Sequence, residues 1–480
     1  MTATALPIMT QTLQAKNGSG RVLQIGHVLW LTLAAILIIS LPNLADPMIR
    51  HDDYPALFAE ADMFWNKTLH EGRWTNYIWH LRGFVTPSWL NFLVYQVLWA
   101  IFAAATATVV TRQRKLTFFR GALALMILVS PSALLISLWF NTLLPGLALV
   151  AAYALLACRI SDRSLRLFLP IFVVLTFMAY TTYPLLLLAI CLFKQEKRSI
   201  RNLVELLCLF AFSILVAVLL TYAINWQVHG IFGVPLADWR NATPAHSLQE
   251  LYANLPKLWM TLGSFLAKSS HGFFPAQIFH VVLFTGSAFV LLRYEPMEAL
   301  YLYAGLFIGI ALVMCQVLKL GVFIPPRTFI FAWVFYGIAA VRAAEILSTK
   351  NPLAGRMACN AVMLIVGSYL LQNFNQASHY RDWQAETRQI SRMLAETPAP
   401  LLIRGHPKKT TSGLRAGIQS DTAFQFRMRQ LTGRNATLCS SEIDTCGKAV
   451  LGTEGSSPAG GFPAIIKVDE LGTTIFFSDG

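Results

Sequence analysis

Two adjacent carboxylates, Asp52 and Asp53, follow shortly after the first long apolar run of the chain, residues 22–41. One carboxylate of such a pair can accept the proton of a hydroxyl nucleophile, and its neighbour can orient it or help to hold a divalent cation. The alternative is a solvated acidic start of a loop. We expect Asp52 to be the base and Asp53 its neighbour, although the sequence leaves the reverse assignment open.

The segment that follows the paired aspartates carries aromatic and basic side chains suited to binding a sugar. Aromatic rings offer an apolar face with a polar edge, and arginine offers several hydrogen-bond donors for hydroxyl groups. Tryptophan and tyrosine are also enriched at membrane interfaces, which is the alternative for single residues such as Trp65 and Trp79. The candidate residues for binding the sugar or the acceptor are Tyr54, Arg73, Trp74, His80 and Arg82.

A third candidate group lies far along the chain, in the turn Pro325-Pro326-Arg327-Thr328. The planar guanidinium of Arg327 matches phosphate oxygens, so a lipid phosphate is a natural partner. The alternative is ordinary extension of an arginine toward lipid headgroups. Lys319 and His271 are weaker candidates for the same phosphate site.

The composition indicates where this chemistry would take place. Of the 480 residues, 55% are hydrophobic and only 13% are charged, against roughly a quarter in soluble proteins. We therefore predict an α-helical polytopic membrane protein. The net charge of +14 does not gather in one basic run, and neither a P-loop nor a dinucleotide-binding glycine motif is present. Nucleic acid and soluble nucleotides are excluded as expected partners.

Apolar runs predict about eleven transmembrane helices, since roughly 20 apolar residues cross a bilayer. The runs are residues 22–41, 87–111, 121–140, 143–158, 167–180, 183–193, 203–225, 274–292, 297–316, 329–347 and 357–374. The fifth and sixth are short and form either a tilted pair or a re-entrant hairpin. No charged residue is expected well inside any run.

The distribution of basic residues predicts the orientation of these spans. Lys and Arg are dense in the short segments 112–120, 159–166 and 194–202 and sparser in the long loops 42–86, 226–273 and 317–328. The positive-inside rule then makes residues 1–21 cytoplasmic and places the long loops on the opposite face. An odd number of spans puts residues 375–480 on that face as well.

Residues 375–480 are predicted to form a small extracytoplasmic α/β domain. Residues 382–395 and 421–431 show helical patterns, and 400–403 and 464–468 show strand patterns. Cys439 and Cys446 lie in this segment, and on the oxidising side of a membrane such a pair favours a disulfide over two free thiols.

These motifs together resemble the GT-C class of integral-membrane glycosyltransferases. Within that class, Asp52-Asp53-Tyr54, Gly72-Arg73-Trp74 and Pro326-Arg327 are similar to the phage-type O-antigen glucosyltransferases of serotype conversion. In that family an arginine often follows the paired aspartates closely, whereas Tyr54-Pro55-Ala56 stands here. Related arabinofuranosyltransferases also carry paired aspartates and a tail domain.

The resemblance implies an inverting transfer at the periplasmic face of a bacterial inner membrane. The donor would be a sugar on a polyprenyl phosphate, and the acceptor a hydroxyl of a glycan, a lipid or a protein. Asp52 or Asp53 would be the general base, and Arg327 would hold the leaving lipid phosphate. No cofactor is certain, and a divalent cation is possible. The alternatives are a flippase or transporter of lipid-linked glycans, and a glycan polymerase or ligase.

Fusions to alkaline phosphatase test the predicted orientation, because this reporter is active only where it is exported and its disulfides form. A fusion after Phe374 should be active and a fusion after Arg201 inactive. Activity at Arg201 would contradict the assignment of the span order and of the face on which Asp52 lies.

Overall fold

The structure, a computed structural model, describes residues 7–111, 117–195, 197–395, 397, 400–439, 464–469 and 472–477. The long helix α1 (Pro7–Leu44) is followed by α2 (Tyr54–Phe58), α3 (Ala61–Glu71) and α4 (Trp74–His80). Then come α5 (Ser88–Val110), α6 (Thr117–Leu128), α7 (Pro131–Ile136), α8 (Phe140–Arg159), α9 (Asp162–Phe177), α10 (Tyr183–Lys194) and α11 (Ile200–His229). The remaining helices before the tail are α12 (Leu248–Ala253), α13 (Leu255–Ser269), α14 (Phe274–Tyr294), α15 (Pro296–Leu320), α16 (Ile330–Lys350) and α17 (Pro352–Ser378).

Within these described ranges, eight helical segments are long and apolar enough to cross a membrane. They are Ile25–Leu44, Ser88–Val110, Pro131–Arg159, Ile200–His229, Phe274–Tyr294, Pro296–Leu320, Pro326–Lys350 and Pro352–Met393. The predicted class of an α-helical, multi-pass membrane protein is therefore confirmed. The predicted count of eleven spans is not confirmed.

The predicted and observed counts differ because three of the eleven apolar runs do not form a long helix of their own. Residues 121–140 are not one helix: α6 ends at Leu128, and α7 begins at Pro131. Pro131 has no backbone N–H to continue the helix, and the Ser130 hydroxyl instead accepts from the Ala133 N–H at 3.3 Å. Helices α9 and α10 cover the two short runs with only 16 and 12 residues, less than a perpendicular crossing of a typical bilayer needs.

Helix α16 is the centre of the helical bundle. Of its most apolar window, 94% is buried inside the protein, which fits a helix that is apolar on all sides. Two glycines of α15 allow α16 to approach closely: a Cβ at Gly305 would lie 2.7 Å from the Phe335 ring, and one at Gly309 would lie closer still to the Phe331 ring.

A buried ion cluster joins α15 to α16. Arg342, almost fully buried, donates to the carboxylates of both Glu298 and Glu345, and Arg198 donates to Glu298 at 3.0 Å. Arg342 and Glu345 lie inside the apolar run 329–347, so the expectation that such runs hold no buried charge is wrong here. Mutual pairing offsets the desolvation of these charges.

The C-terminal part adds α18 (Arg381–Met393), α19 (Thr411–Arg415) and α20 (Thr422–Thr432) to a small sheet. The strands are β1 (Leu401–Arg404), β2 (Ala436–Leu438), β3 (Ala464–Asp469) and β4 (Gly472–Phe477), in the order β2-β1-β4-β3. Strand β1 is parallel to both neighbours, and β3 is antiparallel to β4. The Phe424 ring packs between Trp383 and Phe477 and joins the helices to the sheet.

This C-terminal part is tied by charge to the segment that follows α1. Arg427 donates to both carboxylate oxygens of Asp46, at 2.7 and 2.5 Å, and Arg429 donates to Glu60 at 2.6 Å. Between those two contacts, the Arg50 guanidinium donates to the Gly417 carbonyl oxygen. Residues 46–60, which include both aspartates, are therefore held from the side of the C-terminal domain.

Reversing the charges of the Glu60–Arg429 pair tests this attachment. Glu60→Arg or Arg429→Glu alone brings like charges together, so we expect faster hydrogen–deuterium exchange in α20. The double reversal restores an opposite-charge pair and should slow the exchange again. The control is Asp382→Arg at the exposed Arg415–Asp382 pair, which should leave α20 unchanged. Equal exchange in the single and double variants would contradict the role of this ion pair.

Candidate functional site

Asp52 is the exposed member of the aspartate pair. Its Oδ1 accepts from the Trp139 indole N–H at 2.6 Å, and its Oδ2 accepts from the Lys67 ammonium at 3.0 Å. Burial acts to raise the pKa of Asp52, but the Lys67 charge and these hydrogen bonds lower it well below its usual range. With its side chain 33% exposed, Asp52 is an ionised carboxylate that a ligand can reach.

Asp53 has a different environment, at the beginning of α8. Its Oδ2 accepts from the Asn141 backbone and side-chain N–H groups at 3.0 and 2.9 Å, and its Oδ1 accepts from the Thr142 backbone N–H at 2.7 Å. A helix N-terminus leaves such N–H groups without partners and carries a partial positive charge. Burial raises the pKa of Asp53 to about 6, against the effect of these donors. Asp53 is thus a buried cap that attaches its segment to α8.

Trp139 contacts both kinds of candidate group. It lies in the short 3-10 helix Ser137–Trp139, between α7 and α8. Besides its hydrogen bond to Asp52, its ring packs against the guanidinium of Arg327 at 4.0 Å and that of Arg50 at 5.8 Å. Sequence reasoning missed Trp139 because the run 121–140 was interpreted as one span. The Ser130-Pro131 break is the signal that could have indicated a turn there.

Arg327 stands in a fixed turn with its charge unneutralised. The short 3-10 helix Pro326–Phe329 holds it, and the Ser132 hydroxyl donates to the Pro326 carbonyl oxygen at 3.0 Å. In the part of the chain that the structure describes, no carboxylate pairs with Arg327. A guanidinium on an aromatic face still directs its N–H donors outward from its edge, where they can meet an anion.

A second carboxylate with two arginines lies on the other side of Lys67. Glu71 pairs with Arg73 at 2.5 Å and with Arg240 at 3.7 Å, and Arg73 lies over the Tyr180 ring at 5.7 Å. Burial acts to raise the pKa of Glu71, yet Arg73, Lys67 and Arg240 lower it. Of the predicted sugar-binding residues, Arg73 therefore belongs to this neighbourhood. Neither Glu71 nor Arg240 was among the sequence candidates.

Positive charge exceeds negative charge around these groups. Burial and the charge of Arg327 both lower the pKa of Arg50. Burial, Arg73 and Arg327 lower the pKa of Arg240. The two groups described above therefore share one electrostatic neighbourhood, in which the cations Arg50, Lys67, Arg73, Arg240 and Arg327 outnumber the carboxylates Asp52, Asp53 and Glu71. Such an excess at a partly buried location favours an anionic ligand.

Two of the predicted sugar-binding residues make packing contacts instead. Tyr54 is buried between the rings of Phe58 and Phe426, at 5.9 and 5.6 Å, where α2 meets α20. Trp74 donates its indole N–H to Asn225 at 2.8 Å and so joins α4 to α11. These contacts are with neighbouring elements and not with Asp52 or Arg327.

Two further candidates stabilise the short helices. His80 is buried, its Nδ1 donates to the Asn76 carbonyl oxygen at 2.6 Å, and its ring stacks on Phe64 at 4.0 Å. Burial lowers the pKa of His80 to about 4, so it is neutral at pH 7. Arg82 donates to the Leu57 carbonyl oxygen at 3.1 Å, at the end of α2.

The two weaker phosphate candidates, Lys319 and His271, contact residues other than Arg327. The Lys319 ammonium donates to the Ala245 carbonyl oxygen and fastens the loop before α12 to the end of α15. The His271 ring packs edge-on against Tyr369 at 5.2 Å. In the tail, Cys439 takes part in a disulfide, while its predicted partner Cys446 lies outside the described residues.

No candidate metal centre is found in the described ranges, where no three His, Cys, Asp or Glu side chains converge. A small cavity of about 30 Å³, with a mainly apolar lining, lies among the helices, and Leu138 and Tyr380 border it. The Arg50 backbone N–H donates to the Leu138 carbonyl oxygen at 3.4 Å.

No protein-family model matches the chain, and no curated protein matches it. The residues and contacts described above therefore carry the functional argument.

Conservative replacement separates the two aspartates. Asp53→Asn removes the charge that accepts three hydrogen bonds in a buried place, and we expect the free energy of unfolding to fall by about 1–3 kcal/mol. The Asp52 side chain is partly exposed, so Asp52→Asn should lower the free energy of unfolding much less. Thermal unfolding of the purified protein in detergent measures both variants. A larger loss of stability in Asp52→Asn than in Asp53→Asn would contradict the assignment of Asp53 as the cap.

Proposed function

We propose that the chain is an inverting, membrane-embedded glycosyltransferase of the GT-C type. It would move a sugar from a polyprenyl-phosphate donor to a hydroxyl of a glycan, lipid or protein acceptor. The observation that carries the proposal is the meeting of Asp52 and Arg327 on one indole ring, Trp139. This arrangement provides a proton acceptor beside an arginine that no carboxylate of the described residues pairs with, as a transfer with an anionic leaving group requires.

In the proposed reaction, the acceptor oxygen forms a bond to the anomeric carbon while the bond from that carbon to the phosphate oxygen breaks. The hydroxyl proton passes to Asp52, and the electron pair of the broken bond stays on the lipid phosphate. Arg327 and Arg50 stabilise the phosphate charge. The Lys67 charge that lowers the pKa of Asp52 also weakens this carboxylate as a base. Proton acceptance would therefore come late, once the hydroxyl has become acidic through its bond to an oxocarbenium-like carbon.

The charge excess supports a phosphate as the group that carries the donor sugar. The cations around Asp52 leave positive charge available for a phosphate, as noted above. Asp53 contributes by positioning: it fixes the backbone that presents Asp52.

The proposal includes the orientation predicted from the charge distribution. Residues 1–21 would be cytoplasmic, and the loops 42–86, 226–273 and 317–328 would face the periplasm with residues 375–480. The eleven-span count would require α6, α9 and α10 to cross or enter the membrane together with the eight long segments.

A lipid-linked glycan flippase is the alternative that one observation favours, the buried cluster of Glu298, Arg342 and Glu345. Charged groups inside a membrane often line a transport path. With Arg198, which pairs with Glu298, the two carboxylates and the two arginines balance in charge within the bundle. Movement of a labelled polyprenyl-phosphate sugar across vesicles without any transfer product would favour the flippase over the enzyme.

The transfer assay uses a panel of polyprenyl-phosphate sugars in vesicles that contain the full chain. Asp52→Asn should lower kcat by about 100-fold or more, the usual scale for losing a general base, with donor binding retained. Arg327→Ala should weaken both donor binding and turnover, and Arg327→Lys should lie between, since lysine lacks the planar fork.

Asp382→Asn, an exposed carboxylate of α18, is the matched control and should keep the full rate. Wild-type rates in both Asp52→Asn and Arg327→Ala, with every donor that the wild type uses, would contradict the mechanism.

A further inference from the structure

Helix α13 exposes a continuous apolar stripe. Trp259, Met260 and Leu266 have large exposed fractions. Trp259, Gly263 and Leu266 follow one another along one side of the helix, and Met260 lies beside them. The opposite side is also apolar, since Leu258 and Phe265 pack against the protein core. A helix with apolar residues on both sides is not expected to face water with either of them.

We propose that α13 lies in the membrane–water interface, with the stripe of Trp259, Met260 and Leu266 against bilayer lipid. We further propose that it forms the lipid-side wall of the Arg327 site. The second statement rests on the proposed function, in which Arg327 binds a lipid phosphate, whereas the first does not depend on it.

Continuity with a lipid-facing span identifies bilayer lipid as the occupant. Helix α14 begins at Phe274, only a short turn after α13 ends at Ser269. Only 17% of the α14 span is buried inside the protein, and its exposed residues include Phe274 and Ile278. Along the chain, the stripe of α13 is therefore followed closely by the exposed apolar residues that begin α14. Tryptophan is enriched at this depth, and interfacial helices bury one apolar side in the headgroup region.

Helix α13 has two lysines, Lys257 near its beginning and Lys268 near its end, and the contacts of Lys257 agree with the same orientation. Its ammonium donates to the Thr243 hydroxyl at 3.0 Å and to the Gly321 carbonyl oxygen. The charge is thus bound by protein oxygens rather than directed along the exposed stripe, which leaves that stripe apolar.

The buried side of α13 holds the turn that carries Arg327. The Phe265 ring stacks on Phe329 at 4.6 Å, and the Thr261 hydroxyl oxygen accepts from the Ile324 backbone N–H at 3.3 Å. These contacts lie on both sides of Arg327 along the chain. A displacement of α13 would therefore move the turn that carries Arg327. Because this turn packs on the side of α13 opposite the stripe, α13 lies between the turn and the proposed lipid.

Photo-cross-linking tests the location of the stripe. The photoreactive residue p-benzoylphenylalanine replaces Trp259 in one variant and Leu414 of α19 in the other, since both side chains are 67% exposed. The full chain is placed in nanodiscs of phosphatidylethanolamine and phosphatidylglycerol and irradiated. We expect lipid adducts at position 259 well above those at 414. Equal adduct levels at the two positions, or a cross-link from 259 to a second copy of the chain, would overturn the interfacial location.

A second measurement tests the wall. Binding of polyprenyl phosphate should be several-fold weaker in Trp259→Glu than in wild type, because a charge placed against lipid moves α13 away from the bilayer. Binding should be unchanged in Leu414→Glu. Unchanged binding in Trp259→Glu would overturn the wall. If wild type itself binds no polyprenyl phosphate, the proposed function and the wall fail together, whereas the adducts at 259 separately decide the interfacial location.

Discussion

Asp53 is buried against the first turn of α8, and the candidate site depends on this contact. Three N–H groups from Asn141 and Thr142 converge on its carboxylate. A helix end inside the protein has few other ways to satisfy these donors. Because Asp52 is the preceding residue, the same contact fixes its backbone beside Trp139. The two aspartates therefore have different roles: the Asp53 carboxylate holds the segment, and the Asp52 carboxylate remains accessible.

Around Asp52 the protein accepts an unfavourable arrangement of charge. Arg50 and Arg327 lie against the same indole ring, and Arg240 and Arg73 lie about Glu71. Like charges in a partly buried place repel one another. This repulsion, together with burial, lowers the pKa of Arg50 and of Arg240. Rigid turns keep the cations in place, so an incoming anion would meet donors that are already oriented.

Two elements support this arrangement from opposite sides. The C-terminal domain binds residues 46–60 through Asp46 and Glu60. Helix α13 packs on the turn of Arg327 through Phe265 and Thr261. The first contact is ionic and partly exposed, whereas the second is mainly apolar. A change at either element would alter the distance between Asp52 and Arg327 without touching either residue.

The sequence by itself determined the membrane class, the segment with two aspartates and the turn with Arg327. These features depend on the local length of apolar runs and on residue type, which the chain displays directly. It did not determine which aspartate is accessible, nor that Tyr54, His80 and Arg82 make packing contacts. It also gave no sign of Trp139 or of the Glu71–Arg240 pair. Residues 52, 139 and 327, like residues 71 and 240, meet only because the helices pack as they do. Contacts over such separations leave no local pattern, so only the tertiary structure decided them.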